Sequence, residues 1–203
     1  MHQTDSASRK VILASRSPYR RELLQRIIPD PETQPADIDE TPLPEEAPET
    51  YVMRLSRAKA ETVASEYPDG CLVIGSDQAA VLDGKILGKP GTAERAHQML
   101  AAASGRSLHF HTGLHILETG NPINSQQALD RTRVDFRPLT HEEIERYIAA
   151  EPALDCAGGF RCEGLGIALF ERIRSDDPTA LIGLPMIATA RLLREFGFDP
   201  LNP

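Results

Sequence analysis

Two hydrophobic periods run through this chain, and the points where one gives way to the other mark its elements. Val11-Ile12-Leu13-Ala14 is an unbroken apolar run that turns polar at Ser15-Arg16-Ser17 and re-emerges at helical spacing around Leu23 and Leu24. Ser17 suits an N-cap, and Pro18 suits the first helical position, where its missing N–H and fixed φ cost nothing. The pattern predicts strand, turn and a helix from Pro18 to about Ile28. Tyr51, Val52, Leu55, Ala58 and Val63 predict a second helix over 48–67. Cys71 to Ile74 is apolar again and breaks at Gly75-Ser76-Asp77-Gln78, as in a buried strand that delivers Asp77 at its carboxyl end. Ala79 to Leu82, the Asp83-Gly84 turn and Lys85 to Leu87 read as a hairpin. Thr92 caps a helix to about Ala103, closed by Gly105.

Beyond Gly105 the period becomes two. Leu108, Phe110, Thr112, Leu114 and Ile116 share one face of a strand, with His109, His111 and His115 on the other. Ser125 to Phe136 follows as its antiparallel partner, and Thr140-His141-Glu142-Glu143 is a capping box opening a helix to about Ala150. A glycine-rich stretch from Asp155 to Gly166 leads to a strand over 167–173, which Asp176-Asp177-Pro178 breaks. The last helix covers about 185–196. This alternation of strands and helices agrees with an α/β fold.

Composition narrows the class. With 203 residues, 40% hydrophobic and 26% charged, the chain suits one domain over 1–203, with a flexible N-terminus over 1–9. A formal charge of -8 speaks against a broad basic surface for nucleic acid but leaves room for a local basic pocket, so a small anionic ligand is expected. Met1 to Lys10 lacks the apolar core of a signal peptide, and no run approaches the ~20 residues of a membrane span. A cytoplasmic protein without a membrane partner follows as an expectation. Cys71, Cys156 and Cys162 are odd in number and lack C-x-x-C spacing, so they read as buried thiols.

Several polar residues then stand out, each with two readings. Arg20 and Arg21 fall in the first turn of the Pro18 helix, where the dipole disfavours cations. With the Ser15 and Ser17 hydroxyls they form a phosphate site, or else an ordinary turn whose arginines face water. Five acidic residues between Asp37 and Glu46 make a solvated loop, or supply an oxygen ligand to a cation carried by phosphates. Lys59, four residues from Leu55 and from Val63, either lays its stem on the core with its head in water or aims its ammonium into a cleft. Asp77 caps backbone groups or faces a ligand. His109 and His111 lie within ~7 Å of each other on a strand, but no Cys or acidic residue completes a zinc set nearby, so a solvated histidine face is expected. The glycines of 155–166 do not follow G-x-G-x-x-G, which excludes a dinucleotide fingerprint.

Taken in order, Leu13-Ala14-Ser15-Arg16-Ser17-Pro18 with Arg20-Arg21-Glu22-Leu23-Leu24, Asp37-Ile38-Asp39-Glu40, Lys59-Ala60, Gly75-Ser76-Asp77-Gln78, Gly88-Lys89-Pro90 and Cys156-Ala157-Gly158 resemble the Maf family of nucleoside triphosphate pyrophosphatases. The resemblance runs from about Lys10 to Leu201. It implies a mixed twisted sheet flanked by helices, in two lobes around a nucleotide cleft, similar to inosine triphosphatase. It also implies hydrolysis of a nucleoside triphosphate to the monophosphate and pyrophosphate with a divalent metal cation (Mg, Mn or Co). By motif, Ser15, Arg20 and Arg21 would grip phosphates, while Lys59 and Lys89 would neutralise charge on the leaving pyrophosphate. Glu40 and Asp77 would hold the metal or activate water, with Asp77 as proton acceptor.

Within the family, Tyr19, Gln78 and Glu163 resemble the branch that removes 7-methyl-GTP, although Tyr19 stands where that branch often has tryptophan. A methylated guanine ring carries positive charge, which favours an aromatic face and a carboxylate accepting from its N1–H and N2–H groups. The alternatives are dTTP/UTP hydrolysis by the same chemistry and a nucleotide-binding regulator linked to septum formation. The expected partner is a small-molecule nucleoside triphosphate, with no nucleic acid and no membrane, in a monomer or a homodimer.

Overall fold

The apolar run at the head of the chain forms β1 (Val11–Leu13), every residue of it buried. Around it the computed structural model, which describes residues 9–202, builds a seven-stranded mixed sheet. Residues 1–8 of the expected flexible N-terminus lie outside the described residues. β2 (Glu32–Thr33) and β3 (Leu72–Leu82) flank β1 in parallel. β4 (Lys85–Leu87), β5 (Ser107–Glu118), β6 (Asn121–Phe136) and β7 (Phe170–Arg174) are antiparallel additions, giving the order β2-β1-β3-β5-β6-β7 with β4 on β3. The helices are α1 (Pro18–Leu24), α2 (Pro48–Ala64), α3 (Ala93–Ala103), α4 (His141–Ala150) and α5 (Met186–Glu195). Among the described residues no helix is long and apolar enough to cross a membrane.

The local signals act as their chemistry predicts. The Ser17 hydroxyl accepts the Arg20 backbone N–H at 3.3 Å, the Thr92 hydroxyl that of Arg95 at 3.2 Å, and both bonds of the Thr140/Glu143 capping box form. Asp83 and Gly84 both take positive φ, 50° and 76°, which a two-residue hairpin needs to match strand twist.

Other expectations are corrected. β3 does not end at Asp77 but runs on to Leu82, because β5 pairs with it from Leu72 to Val81 and carries it past the polar residues. α1 stops at Leu24 rather than Ile28, and α2 at Ala64 rather than Tyr67. The acidic loop contains β2, and the strand expected from 167 begins at Phe170, after a 3-10 turn over Leu165–Leu169. The histidine face is not solvated throughout: His109 is exposed, while α2 covers His115, which is 5% exposed. Of the cysteines only Cys71 is buried; Cys156 and Cys162 are half-buried.

α2 lies across β3 and β5 at a distance set by two glycines. A Cβ at Gly75 would stand 2.1 Å from the Ser56 carbonyl oxygen, and one at Gly113 would stand 2.7 Å from that of Val52. No side chain fits at either point. The opposite side of these strands carries two separate cores. Leu72, Ile74, Leu114 and Ile116 join Leu23, Leu24, Leu192 and Leu193 of α1 and α5. Ala80, Leu82, Leu108 and Phe110 join Leu100, Ile144 and Tyr147 of α3 and α4. Ser76, Gln78 and Thr112 fall between the two and break the apolar surface into two lobes. At this seam β1 has reached only Ile74 of β3 and β4 begins only at Ala80, so among the described residues no strand pairs with that edge of β3 from Gly75 to Ala79. The resulting notch lies beyond the carboxyl end of β1, where parallel strands present ligands.

Candidate active site

A cleft of about 780 Å³ opens at the notch. The β1–α1 turn, the acidic loop, α2, β3, the loop after β4, the glycine-rich stretch and the loop before α5 all contribute to its wall. Part of that wall is cationic. The Ser15 hydroxyl accepts the Ser17 backbone N–H at 3.1 Å and meets the Arg20 Nη1 at 3.5 Å, while Arg20 Nε donates to the Gly183 carbonyl at 2.8 Å. Burial lowers the Arg20 pKa, and the Asp77 and Glu40 charges oppose that effect. Lys89 reaches the cleft from the exposed loop after β4. Arg21 does not: it is exposed on α1, and Arg16 lines the cleft instead. Successive residues of a helix point about 100° apart, so a turn that aims Arg20 inward aims Arg21 away.

Also lining the cleft, two carboxylates converge on one ammonium. Lys59 Nζ lies 2.5 Å from Asp77 Oδ1 and 2.7 Å from Glu40 Oε1, and Lys59 and Asp77 are each only 7% exposed. This follows from the glycine seat, which draws α2 close enough to β3 for a side chain on one to reach a side chain on the other. Burial works against ionisation of Glu40, but its hydrogen bond to Lys59 and the charges of Lys59, Lys89 and Arg20 prevail and hold its pKa below the ordinary value.

Glu40 is carried on a braced loop. Tyr51 donates its hydroxyl to the Glu40 carbonyl at 3.0 Å, and Arg54 Nη2 donates to the Thr41 carbonyl at 3.2 Å. Arg54 also grips both oxygens of Glu46, each at 2.7 Å, and Glu46 accepts the Leu43 backbone N–H at 3.0 Å. Burial, then the negative charges of Asp77 and Glu40, push the Tyr51 phenol up to about 12, so it stays a donor. Neither Tyr51 nor Arg54 is legible as functional from periodicity, which assigns Tyr51 to the helix face; Glu46 eight residues before Arg54 is the one signal that could have marked the brace.

Tyr19 and Glu163 also line the cleft, and Arg161 contacts both. The Arg161 guanidinium lies over the Tyr19 ring, 4.9 Å from its centroid, and its Nε is 3.6 Å from Glu163 Oε1. Burial raises the Tyr19 pKa, as do the charges of Cys156, Asp155 and Glu163, while Arg161 opposes them. Burial also pushes the Cys156 and Cys162 thiols up to about 12, so neither is a ready nucleophile. Gln78 lines the cleft but spends its amide N–H groups on the carbonyls of Ala180 at 2.8 Å and Leu181 at 3.0 Å. Asp177, read from sequence only as a strand breaker, anchors that same loop. Its carboxylate, 4% exposed, accepts the Ile187 backbone N–H at 2.6 Å and the Thr179 hydroxyl at 2.7 Å.

The description "Maf-like protein" belongs to the family whose profile matches residues 10–196. A 7-methyl-GTP pyrophosphatase of Xanthomonas axonopodis pv. citri (strain 306) is 56% identical over 190 residues, covering 94% of this chain and 98% of that one. A 7-methyl-GTP pyrophosphatase of Bordetella avium (strain 197N) is 48% identical over 202 residues, covering 100% of this chain and 98% of that one. Among solved structures, the Staphylococcus aureus Ham1 protein aligns with a TM-score of 0.45 at 15% identity, over 63% of this chain and 72% of that one. With the profile spanning 10–196 and relatives of this identity matched along nearly their whole length, the chain belongs to the Maf-like protein family.

Proposed function

We propose that the protein hydrolyses 7-methyl-GTP to 7-methyl-GMP and pyrophosphate. The observation that carries this reading is one cleft lined by Ser15, Arg20 and Lys89, by a carboxylate pair on Lys59, and by the Tyr19 ring and the Glu163 carboxylate. Two relatives at 56% and 48% identity bear the corresponding name. Arg20 and Lys89 bind phosphate oxygens, with the Ser15 hydroxyl as a further donor, and Lys59 offsets charge gathering on the departing pyrophosphate. Asp77 orients a water for in-line attack and takes its proton as the new O–P bond forms and the bond to pyrophosphate breaks. The methylated ring lies on Tyr19 and gives its N–H groups to Glu163.

A divalent cation fits these residues. Glu40 and Asp77 each bring one carboxylate oxygen to the Lys59 ammonium, and the second oxygen of each is a hard donor of the kind Mg²⁺ takes alongside phosphate oxygens and water. Among the described residues no group of three or more His, Cys, Asp or Glu is placed to hold a metal, so the remaining donors belong to substrate and water. When bound, Mg²⁺, Mn²⁺ or Co²⁺ supplies Lewis-acid polarisation of the phosphates. A cytoplasmic role in removing modified nucleotides accompanies this activity.

A panel of triphosphates assayed for pyrophosphate release with each metal tests the reading. The expected outcome is a kcat/KM for 7-methyl-GTP at least about tenfold above those for dTTP and UTP, corresponding to about 1.4 kcal/mol from the charged ring contacts. Faster turnover of dTTP overturns it.

A further inference from the structure

We infer that Arg161 is an internal competitor for the base: its guanidinium occupies the place proposed for the ring, and a nucleotide must displace it to engage Tyr19 and Glu163. The guanidinium is a flat, delocalised cation that stacks on aromatic faces and donates to carboxylates. A 7-methylguanine ring has the same three properties. Arg161 already uses both groups assigned to base recognition, stacking on Tyr19 at 4.9 Å and facing Glu163 at 3.6 Å.

Its hold is incomplete. Arg161 Nε is buried without a hydrogen-bond partner, which leaves a polar group unsatisfied in the cleft. The main chain, by contrast, is fixed, since the Arg161 backbone N–H donates to the Tyr147 hydroxyl at 3.1 Å and Tyr147 belongs to the second core. The side chain can therefore leave while the glycine-rich stretch that bears it stays in place. Displacement weakens every base-bearing ligand by the same factor, the fraction of molecules with an open ring site, and leaves base-free ligands untouched.

The two expected products separate these cases, because one carries the base and the other carries only phosphates. Calorimetric titration of wild type, Arg161→Ala and Arg161→Met with 7-methyl-GMP should show Kd lower by about three- to tenfold in both variants, as expected for loss of a partly desolvated cation–π contact. Inorganic pyrophosphate should bind all three proteins within about twofold. A higher Kd for 7-methyl-GMP would overturn the inference by showing that Arg161 touches the bound nucleotide, and an unchanged Kd would overturn it by showing that the ring site lies elsewhere. A parallel change for pyrophosphate also overturns it, since the whole cleft has then loosened. Thermal melts accompany the titrations, and Arg161→Met, which keeps the stem, decides if Arg161→Ala fails to fold.

The inference rests on the proposed base end of the cleft, and the two fail separately. A panel that favours dTTP removes the methylated guanine but not the competition. The same titration with dTMP then decides whether Arg161 competes for the ring site.

Discussion

Asp77 and Lys59 neutralise one another inside the cleft at 2.5 Å, and Glu40 adds a second carboxylate from a different segment. Asp77→Asn keeps the shape, leaves the ammonium to Glu40 and removes the proposed proton acceptor. It is expected to lower kcat by about 10² to 10⁴ while the protein still melts cooperatively. A kcat within about tenfold of wild type would place that role on another residue. Glu163→Gln isolates selectivity: it keeps one acceptor oxygen and loses the charge that answers a cationic ring. The ratio of kcat/KM for 7-methyl-GTP to that for UTP should fall about tenfold. If Glu163 serves only to hold Arg161, both substrates change together and the ratio stays constant. Sequence made Lys59, Asp77 and Glu40 candidates one at a time, each with a solvent-facing or capping alternative. What it lacked was their convergence, because their positions, 40, 59 and 77, come together only when a helix is laid on a strand.

The brace from α2 to the acidic loop has a pH signature of its own. Hydrogen bonds from Arg54 lower the Glu46 carboxyl from an ordinary 4.5 to about 2. A folded value below the unfolded one contributes stability above about pH 4.5 and loses it as pH falls towards 2. Glu46→Gln should therefore lower Tm at neutral pH, with the difference from wild type shrinking below pH 4.5 and disappearing as pH falls through about 2. Melts across that range measure it. A difference constant with pH would mean that the carboxylate charge is not what holds the loop. At this scale caps and turns were legible, since Ser17, Thr92, Thr140 and Asp83-Gly84 act through neighbours within a few residues. Strand ends were not. Asp77 reads as a terminus because it is polar, whereas the length of β3 is set by pairing with β5 some forty residues later. Likewise β2 is two residues long, and its partner β1 supplies the order that its own sequence does not.

For the molecule as a whole, the polar seam between two cores means that a ligand in the notch touches both lobes. A ligand that binds only the folded form stabilises by about 2.7 kcal/mol at a hundred times its Kd. In a chain of this size each kcal/mol shifts Tm by about 2–4 °C, so a non-hydrolysable 7-methyl-GTP analogue with metal should raise Tm by about 5–10 °C as one transition. Two transitions, one of them unmoved, would show that the lobes melt independently of what lies between them. The α/β class was legible in the alternation of periods, whereas the two-lobed cleft came only from the family resemblance. No local period reports that Ser76, Gln78 and Thr112 line up across neighbouring strands. The seat of α2 has a consequence for how substitutions will be read. Gly75 and Gly113 offer no chemistry, and a methyl group on either would lift Lys59 away from its two carboxylates. A survey of every substitution by activity alone should accordingly rank these glycines beside Asp77, and an observer without the coordinates would count among the reacting groups two positions that have no side chain at all.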